Sequence, residues 1–327
     1  MKALVYAGPN QPAVVEVPTP EIGPDDILVR SHVVGICHSD FELLEGRYII
    51  GFKYPVTPGH EWSGEVAEVG ANVVGFVPGD RVVGECVVGP GGRDHFGFSI
   101  NGAAAEYFRA RAEWLHKIPS TLSYTQAALV EPFSVAYNAT RCLGGVDPSD
   151  TIAVIGAGPI GLMAMMAATA NNARVVVIEP NARRRALAIE LGAAAALDPT
   201  EDSFGDGISD RTGGRGFDGV IEAAGAPAAM ALALEIAGMA ARIAYVGINV
   251  GSTAAGMLGL IQSKSLRIQG LVGSVGIWPQ TIRFMATGVV DPAKLVTAEI
   301  PLLAAVDALT AARNTASNVK VHIRTGE

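Results

Sequence analysis

Cysteine and charged residues are scarce in this chain. Its 327 residues include only three cysteines, and charged residues make up 17% of the sequence. Three widely spaced cysteines are too few for a disulfide framework, which favours a reducing compartment and predicts a cytoplasmic protein. The net charge is -8 and no block of basic residues is present, so we expect no nucleic-acid partner.

The sequence also lacks the pattern of a signal peptide. The first residues, MKALVYAGP, have no apolar h-region and no cleavage site of small residues, so they are predicted to form a first β-strand. The stretch from Thr151 to Ala173 has no charged residue and is long enough to cross a bilayer. Because glycine and proline residues interrupt it between positions 156 and 161, we expect a strand followed by a helix, and no membrane partner.

Apolar runs in the first 107 residues are short and are separated by turns. Predicted strands cover residues 3–6, 27–34, 63–69 and 81–83. Glycine–proline pairs occur between these runs, for example at 8–9, 23–24 and 78–79. Short strands at regular spacing with such turns indicate a compact, mostly antiparallel β-domain.

The pattern changes after Pro119 to strands that alternate with helices. A helix is predicted over 123–144. The following strands are predicted at 152–155, 175–178, 219–222, 242–246 and 265–270, and the helices between them at 161–171, 183–191 and 228–237. Apolar strands that alternate with helices predict an α/β fold with a doubly wound parallel sheet. The end of the chain returns to mixed structure, which indicates that it completes the first domain.

A glycine-rich turn follows the first strand of this predicted sheet. The strand at 151–155 leads directly into GAGPIG, residues 156–161. Gly156 allows a tight turn, Gly158 lets the backbone approach a pyrophosphate, and Gly161 lets the helix pack close to the strand. The diphosphate would lie on free N–H groups at the helix N-terminus, beside Pro159 and Ile160. The pattern predicts a Rossmann dinucleotide-binding site, and a glycine-rich turn without a ligand is the alternative.

An acidic residue and three arginines follow the next strand. Glu179 comes eighteen residues after Gly161, where a carboxylate accepts hydrogen bonds from the adenosine ribose. A carboxylate about 4 Å from a 2′-phosphate would repel it by roughly several kcal/mol, which favours NAD over NADP. A nearby arginine could neutralise such a phosphate, and three follow at positions 183–185; Arg184 is the one that we name as a candidate. The alternative is that all three form the solvated first turn of a helix.

The nicotinamide ring is expected at the carboxyl ends of the parallel strands. Gly225, Val246 and Leu271 follow three of these predicted strands. We therefore name Val246 and Leu271 as further candidates for cofactor binding.

Donor groups that suit a metal ion are spread over the first half of the chain. Cys37 lies in GICHSD, His60 and Glu61 lie in PGHEWSGEV, and Glu131 lies near the start of the helix after Pro119. A thiolate, an imidazole and a carboxylate suit a catalytic zinc ion with one open coordination position. The spacing alone leaves a simpler reading open, in which Cys37 is a buried apolar thiol and His60 a structural histidine.

A family resemblance joins these motifs. GICHSD (35–40), PGHEWSGEV (58–66), VPGDRV (77–82) and GAGPIG (156–161) occur in the order found in the zinc-dependent medium-chain dehydrogenases. The chain resembles that family over essentially its whole length. It is most similar to the polyol branch of sorbitol and threonine dehydrogenases, which carries a Glu-Pro segment like Glu131-Pro132. The stretch YPVTPGHEWSGEV (54–66) also resembles bacterial 2-deoxy-scyllo-inosamine dehydrogenase.

The resemblance implies a fold and a set of site residues. A mostly β, GroES-like catalytic domain is expected over 1–134 and 273–327, with a Rossmann domain at 135–272. Cys37 and His60 are implied as zinc ligands, and the next ligand is either Glu61 or Glu131. Ser39 matches the hydroxyl that relays the substrate proton, so the implied catalytic residues are Cys37, Ser39, His60 and Glu61. Asp40 matches a residue behind the ligands, and a turn-stabilising role for it is equally compatible with the sequence.

The sequence departs from the family in one place. Many relatives carry four closely spaced cysteines after the VPGDRV strand, and these bind a structural zinc ion. The corresponding segment, residues 84–95, is shorter here and contains one cysteine, Cys86. Cys86 and His95 are the pair in this segment that could bind a metal. A tetrahedral cysteine site cannot form from one cysteine. We therefore expect one catalytic zinc ion per chain and no structural zinc.

The function implied is hydride transfer between NAD(H) and a secondary alcohol or its ketone, with a polyol, sugar or cyclitol as substrate. The alternatives are an NAD(P)-dependent reductase of carbonyl or quinone substrates and a dinucleotide-binding relative without turnover. Arg47, Tyr48, Phe52 and Trp278 are candidates for the substrate entrance, although each could equally be ordinary surface. The resemblance implies a homodimer or a homotetramer.

Overall fold

A computed structural model describes residues 1–274 and 276–326. The chain divides into two compact units. The first unit joins Met1–Glu131 with the segment that starts at Trp278, and the second unit is Pro132–Ile277. The second unit is therefore inserted into the sequence of the first, and it contains the range 135–272 that the sequence assigns to the cofactor domain.

The helices and strands alternate along the chain. The strands are β1 (Lys2–Tyr6), β2 (Pro12–Glu16), β3 (Asp26–Gly35), β4 (Glu61–Val69), β5 (Arg81–Gly84), β6 (Val87–Val88), β7 (Asp94–His95), β8 (Tyr107–Arg111), β9 (Leu115–Lys117), β10 (Thr151–Ile155), β11 (Arg174–Ile178), β12 (Ala195–Leu197), β13 (Phe217–Glu222), β14 (Ala237–Tyr245), β15 (Arg267–Gly270), β16 (Val296–Pro301) and β17 (Lys320–Arg324). The helices are α1 (His38–Leu44), α2 (Tyr124–Ala127), α3 (Val130–Cys142), α4 (Pro159–Ala170), α5 (Ala182–Glu190), α6 (Phe204–Thr212), α7 (Pro227–Ile236), α8 (Leu260–Ser263), α9 (Trp278–Ala286) and α10 (Ala305–Arg313).

The first unit is built on a mostly antiparallel sheet, as the short strands and turns predict. Its strand order is β16-β17-β3-β4-β5-β9, and β8 also pairs with β3. The one parallel pairing in this sheet joins β16 to β17. Trp62 and Phe96 pack against Phe108, with ring centroids 4.6 and 5.4 Å from that ring. This aromatic cluster fixes the start of β4, whose first residue is Glu61 and which directly follows His60.

The second unit is a six-stranded parallel sheet with the order β12-β11-β10-β13-β14-β15. All five residues of β10 are buried, as expected for a central strand with both faces covered. The chain passes outward from β10 to β12 and then returns to β13 on the other side of β10. Ligands of such sheets bind at this reversal of strand order, outside the carboxyl ends of the strands. The turn that follows β10 lies at this point.

The single helix predicted over 123–144 is wrong in one respect, because the structure has two helices there. Ser123 accepts a hydrogen bond from the Gln126 N–H and begins α2, which ends at Ala127. Helix α3 then begins at Val130. A continuous helix would press the ring of Pro132 against the Ala128 carbonyl four residues earlier, whereas proline is tolerated in a first turn.

Strand limits in the second unit also differ from the prediction. Strand β14 begins at Ala237 and not at residue 242, and α7 ends one residue before it. The ammonium of Lys264 donates to the carbonyls of Leu234, Glu235 and Ala237, at 3.1, 2.8 and 2.7 Å. These bonds satisfy carbonyl groups that the end of α7 leaves without a partner, and they end the helix there. The alanine-rich β12 and the glycine-containing α6 were not predicted.

Candidate active site

Two adjacent strands bring three of the four predicted metal ligands together, and Glu131 is not in this group. Cys37 follows the end of β3 and precedes α1, while His60 directly precedes β4 and Glu61 is its first residue. Gly35 of β3 is paired with Glu61 of β4, so the two segments meet at the same end of the sheet. One donor atom from each of Cys37, His60 and Glu61 lies within 4.8 Å of the others. A single metal ion could contact all three.

The Asp40 carboxylate faces the imidazole of His60. Its Oδ1 lies 3.5 Å from His60 Nδ1, and its Oδ2 accepts a hydrogen bond of 2.8 Å from the Cys37 N–H. Asp40 therefore contacts both Cys37 and His60. A carboxylate near Nδ1 favours a proton on that nitrogen, which would leave Nε2 to bind a metal. The hydroxyl of Ser39 lies 3.5 Å from Nε2, on the donor side of the ring.

The buried charges of this site shift each other's pKa. Burial acts to lower the pKa of His60, but the Asp40 carboxylate and Cys37 raise it well above its usual value. Burial raises the pKa of Glu131 to about 7, with His60 acting against the shift and Glu61 adding to it. Glu131 is the second residue of α3. A cation bound among these groups would favour their deprotonated forms.

Lys320 is a site residue that sequence reasoning missed. It begins β17, is 3% exposed, and forms an ion pair with Glu61 through its Nζ and the Glu61 Oε2. Burial acts to lower the pKa of Lys320, and the charges of Glu61 and Cys37 raise it above its usual value. The signal in the sequence is one lysine before the apolar residues of a strand, a pattern that does not reveal its partner.

His322, two residues further along β17, is fully buried. Neither of its ring nitrogens has a hydrogen-bond partner in the described part of the chain. Burial, together with the charges of Lys320 and Arg324, lowers the pKa of His322 from 6.5 to about 3. The folded protein therefore keeps this imidazole neutral.

Replacing His322 by valine should reduce the loss of stability in acid. The unfolded chain takes up a proton at His322 near pH 6.5 and the folded chain does so near pH 3, so this residue destabilises the fold progressively as the pH falls between those values. His322→Val should remove about 3 kcal/mol of destabilisation between pH 7 and pH 4. Urea unfolding of both proteins without metal measures this, and an equal stability difference at the two pH values would contradict it.

The four entrance candidates have different surroundings. The ring of Tyr48 stacks on Phe98 at 4.4 Å, and Phe98 lies 4.9 Å from the ring of His60. Trp278 is 3% exposed and stacks on His116 at 5.6 Å, so its assignment to an entrance is wrong. Arg47 pairs with two glutamates of its own segment, and Phe52 packs against the core of the first unit. Tyr48 is the candidate connected to a predicted ligand.

The glycine-rich turn after β10 has the backbone that a dinucleotide site requires. Gly156 has a φ of 96°, which favours glycine. A Cβ atom at Gly161 would overlap the carbonyl oxygen of Gly156, whereas one at Gly158 would meet no atom within 4 Å. Helix α4 begins at Pro159 and continues through Ile160. The turn is thus closely packed on its inner side and open at Gly158.

Glu179 contacts the backbone of the same turn. Its Oε2 accepts a hydrogen bond of 2.8 Å from the Ala157 N–H, and its Oε1 accepts one of 2.9 Å from the Asn181 N–H. Arg185 is paired with Asp198 at 2.7 Å and donates to the carbonyl of Glu179. Arg185 therefore fixes the end of β11. The Arg184 N–H donates to the Asn181 side chain in the first turn of α5.

The other predicted cofactor residues follow neighbouring strands. Val246 comes directly after β14 and its N–H donates to the Glu222 carbonyl at 2.9 Å. Leu271 comes directly after β15 and donates to the Tyr245 carbonyl at 3.0 Å. Gly225 follows β13 with a φ of 67°. All three lie at the carboxyl edge of the parallel sheet, as does the glycine-rich turn.

Two family models match the chain. One describes an alcohol dehydrogenase GroES-like domain and matches residues 23–120, and the other describes a zinc-binding dehydrogenase and matches residues 159–287. Sorbitol dehydrogenase of Bacillus subtilis is 32% identical over 94% of this chain and 92% of its own length. The L-threonine 3-dehydrogenase of Pyrococcus horikoshii is 32% identical over 84% of this chain and 83% of its own length.

Solved structures agree with these relatives. The 2R,3R-butanediol dehydrogenase of Bacillus subtilis superposes with a TM-score of 0.91 and 32% identity, over 99% of both chains. An alcohol dehydrogenase from Escherichia coli, in complex with NADH, has a TM-score of 0.91 and 27% identity over 99% of both chains. A zinc-binding dehydrogenase from Sinorhizobium meliloti, bound to NADP, has a TM-score of 0.89 and 29% identity, over 99% of this chain and 98% of its own.

The fold and the comparisons define an oxidoreductase of alcohols, with a GroES-like domain and a Rossmann domain. The chain belongs to the zinc-dependent medium-chain dehydrogenase family, in its polyol branch. The predicted family and fold class are confirmed. In the part of the chain that the structure describes, no helix is long and apolar enough to cross a membrane.

Proposed function

We propose that this protein is a zinc- and NAD-dependent dehydrogenase of secondary alcohols, with a polyol, sugar or cyclitol as substrate. The observation that carries this proposal is the convergence of Cys37, His60 and Glu61 to within 4.8 Å in a member of the polyol branch. Sorbitol and butanediol dehydrogenases among the relatives support the substrate class. The same residues would serve ketone reduction in the opposite direction.

The donor set fits zinc. Thiolate, imidazole and carboxylate are the ligand types of catalytic zinc sites, and three of them leave a position for the substrate oxygen. Bound zinc can lower the pKa of water from about 15.7 to about 7, roughly 12 kcal/mol, and would acidify an alcohol in the same way. Cys37, His60 and Glu61 would hold the ion, with Glu131 as the alternative or exchanging carboxylate.

The residues around the ligands have separate tasks. Asp40 holds His60 with Nε2 directed to the donor cluster. Ser39, whose hydroxyl lies 3.5 Å from that nitrogen, is placed to take the proton from the substrate alcohol. A bound nicotinamide would supply the hydride acceptor, and Val246 and Leu271, at the carboxyl edge of the parallel sheet, would help to hold it.

We also propose a single zinc ion per chain. Residues of the shortened segment form the two-stranded hairpin β6–β7, with Val87 paired to His95 and Val88 to Asp94. Among the described residues, the donors that converge in a group of three are Cys37, His60 and Glu61, and neither Cys86 nor His95 belongs to such a group. A structural zinc site needs four ligands, which argues against a second zinc at Cys86 and His95.

NAD is the preferred cofactor in this proposal. Glu179 is 6% exposed and placed beside the glycine-rich turn, where a 2′-phosphate would meet its negative charge. Arg185 is already held by Asp198, which reduces its capacity to neutralise such a phosphate. Similar structures hold NADH in one case and NADP in another, so the preference of this chain rests on Glu179 and Arg185.

A reduction assay tests the proposed function. The purified protein should reduce NAD, and NADP much less, with one or more substrates from a panel of polyols, cyclitols, simple secondary alcohols and threonine. Treatment with a zinc chelator should abolish NADH formation, and added zinc should restore it. Full activity after complete metal removal would refute the metal's role, and reduction of quinones without alcohol oxidation would favour the quinone reductase alternative.

The sheet of the second unit has a free edge that supports the proposed homo-oligomer. All four residues of β15 are exposed, and the nearby Val272 is 74% exposed. An exposed edge strand offers unpaired backbone groups as a template for another chain, and Ile268 and Val272 add exposed apolar side chains here. We propose that a second copy of the chain covers this edge.

A charge on this edge should weaken the oligomer. Ile268→Lys should shift the protein toward the 33.8 kDa monomer in light scattering, because pairing would bury the new ammonium group. Met239→Lys, at another exposed position of the same unit, is the matched control and should leave the mass unchanged. A wild-type monomer, or an unchanged mass in Ile268→Lys, would contradict the proposed interface.

A further inference from the structure

Lys320 is a buried cation beside the proposed metal ligands, and the reaction described above assigns it no task. Its Nζ contacts Oε2 of Glu61 and donates a hydrogen bond of 3.0 Å to the Ile36 carbonyl. Ile36 is directly followed by Cys37. The ammonium group is therefore fixed on one side by backbone next to the thiolate ligand, and on the other side by the carboxylate ligand.

The backbone is shaped to admit this ion pair. A Cβ atom at Gly35 would overlap Oε2 of Glu61 and would lie 3.1 Å from Cε of Lys320. Gly35 is paired with Glu61 on one side and with His322 of β17 on the other. Three neighbouring strands thus set the distance between Lys320 and Glu61. A buried ammonium needs such a partner, because an uncompensated charge inside the protein is strongly destabilising.

We propose that Lys320 is a positioning residue that restricts Glu61 to one donor oxygen. This inference rests on the proposed zinc site. A carboxylate can bind a metal through one oxygen or through both, and the contact with Lys320 occupies Oε2. Oε1 is then the one oxygen of Glu61 left for the metal. A carboxylate bound through both oxygens would fill the coordination position that a catalytic site keeps for its substrate.

Cobalt(II) reports the coordination number directly. The protein is loaded with cobalt in place of zinc, and its visible d–d bands are recorded, since these bands weaken when four-coordinate cobalt becomes five-coordinate. We expect strong bands in the wild-type protein and bands weaker by roughly twofold or more in Lys320→Met, where both oxygens of Glu61 can reach the metal. kcat should fall, with an unchanged KM for the cofactor.

Three further variants separate positioning from a general structural effect. Lys320→Arg retains the positive charge and should recover much of the wild-type spectrum. Gly35→Ala keeps Lys320 but forces Glu61 away from it, so its spectrum should change in the same direction as that of Lys320→Met. Lys264→Met removes a lysine that binds three backbone carbonyls in the second unit, and the cobalt bands should be unchanged.

The outcomes distinguish this inference from the proposed function. Wild-type bands in folded, cobalt-loaded Lys320→Met and Gly35→Ala would overturn the role of Lys320. If Lys320→Met does not fold, Lys320→Gln, which can still donate to Ile36, and Gly35→Ala decide the question. A wild-type protein that takes up no cobalt overturns both proposals. A protein that binds cobalt but oxidises no alcohol refutes the proposed function, while the spectra still report on Lys320.

Discussion

Replacing Cys37 by alanine is expected to remove the metal and nearly all activity. The thiolate is one of three donors that converge within 4.8 Å, and the two that remain, His60 and Glu61, make a weak site. Zinc content should fall from about one ion per chain to near zero, and kcat/KM should fall by about 10³-fold or more. That loss corresponds to about 4 kcal/mol, a third of the effect that zinc has on the acidity of bound water.

Cys86→Ala is the matched control for this experiment. Cys86 is a free thiol in the same unit, and it does not belong to the group of converging donors. We expect zinc content and kcat/KM within about twofold of wild type in this variant. Metal analysis by mass spectrometry and the NADH assay measure both quantities. If Cys37→Ala kept its zinc, or if Cys86→Ala lost it, the ligand assignment would be wrong.

Much of the candidate site and of the parallel sheet could be predicted from local sequence motifs. GICHSD places Cys37 just after β3, and PGHEWSGEV places His60 and Glu61 where β4 begins. The convergence of these donors follows once β3 and β4 are paired. The parallel sheet follows in the same way, because its strands are short apolar runs between helical segments. These features need only near neighbours in the sequence, or one pairing of adjacent strands.

Lys320 could not be predicted by such local arguments. It meets Glu61 because β17, near the end of the chain, adds to β3 in the first sheet. No pattern within β17 states which strand it will join, and a lone lysine in an apolar strand is compatible with many partners. The buried surroundings of Trp278 and His322 have the same cause. Their environments are made by strands and helices that lie far away in the sequence.

The break between α2 and α3 could have been predicted from the sequence. Pro132 prevents a helix from continuing through the Ala128 carbonyl, and Ser123 with Gln126 forms a capping box at the preceding turn. The end of α7 could not be predicted in this way, because the three carbonyls there are satisfied by Lys264, which directly follows the later helix α8. A helix limit is predictable when its cause is local.

Gly158→Ala and Gly161→Ala should separate cofactor binding from folding in the second unit. A Cβ atom at Gly158 meets no protein atom within 4 Å, and its φ of -74° suits alanine, so we expect a wild-type melting temperature. The same methyl group would occupy the space where a pyrophosphate approaches the backbone. Isothermal titration should therefore show NADH bound about tenfold or more weakly by Gly158→Ala, a loss of about 1.4 kcal/mol or more.

Gly161→Ala should act on the fold instead. Its new methyl group would overlap the Gly156 carbonyl, which forces α4 away from β10 in a region where nearly all side chains are buried. Overpacking of this kind lowers the free energy of unfolding by about 1–3 kcal/mol. Because the overlap is with backbone, we expect a loss at the upper end of this range. We expect a melting temperature lower by several degrees, with cofactor affinity lost as a consequence. A wild-type melting temperature in Gly161→Ala would contradict this packing argument. If Gly158→Ala bound NADH normally, the pyrophosphate would not lie on this turn, and the cofactor assignment for the second unit would have to be abandoned.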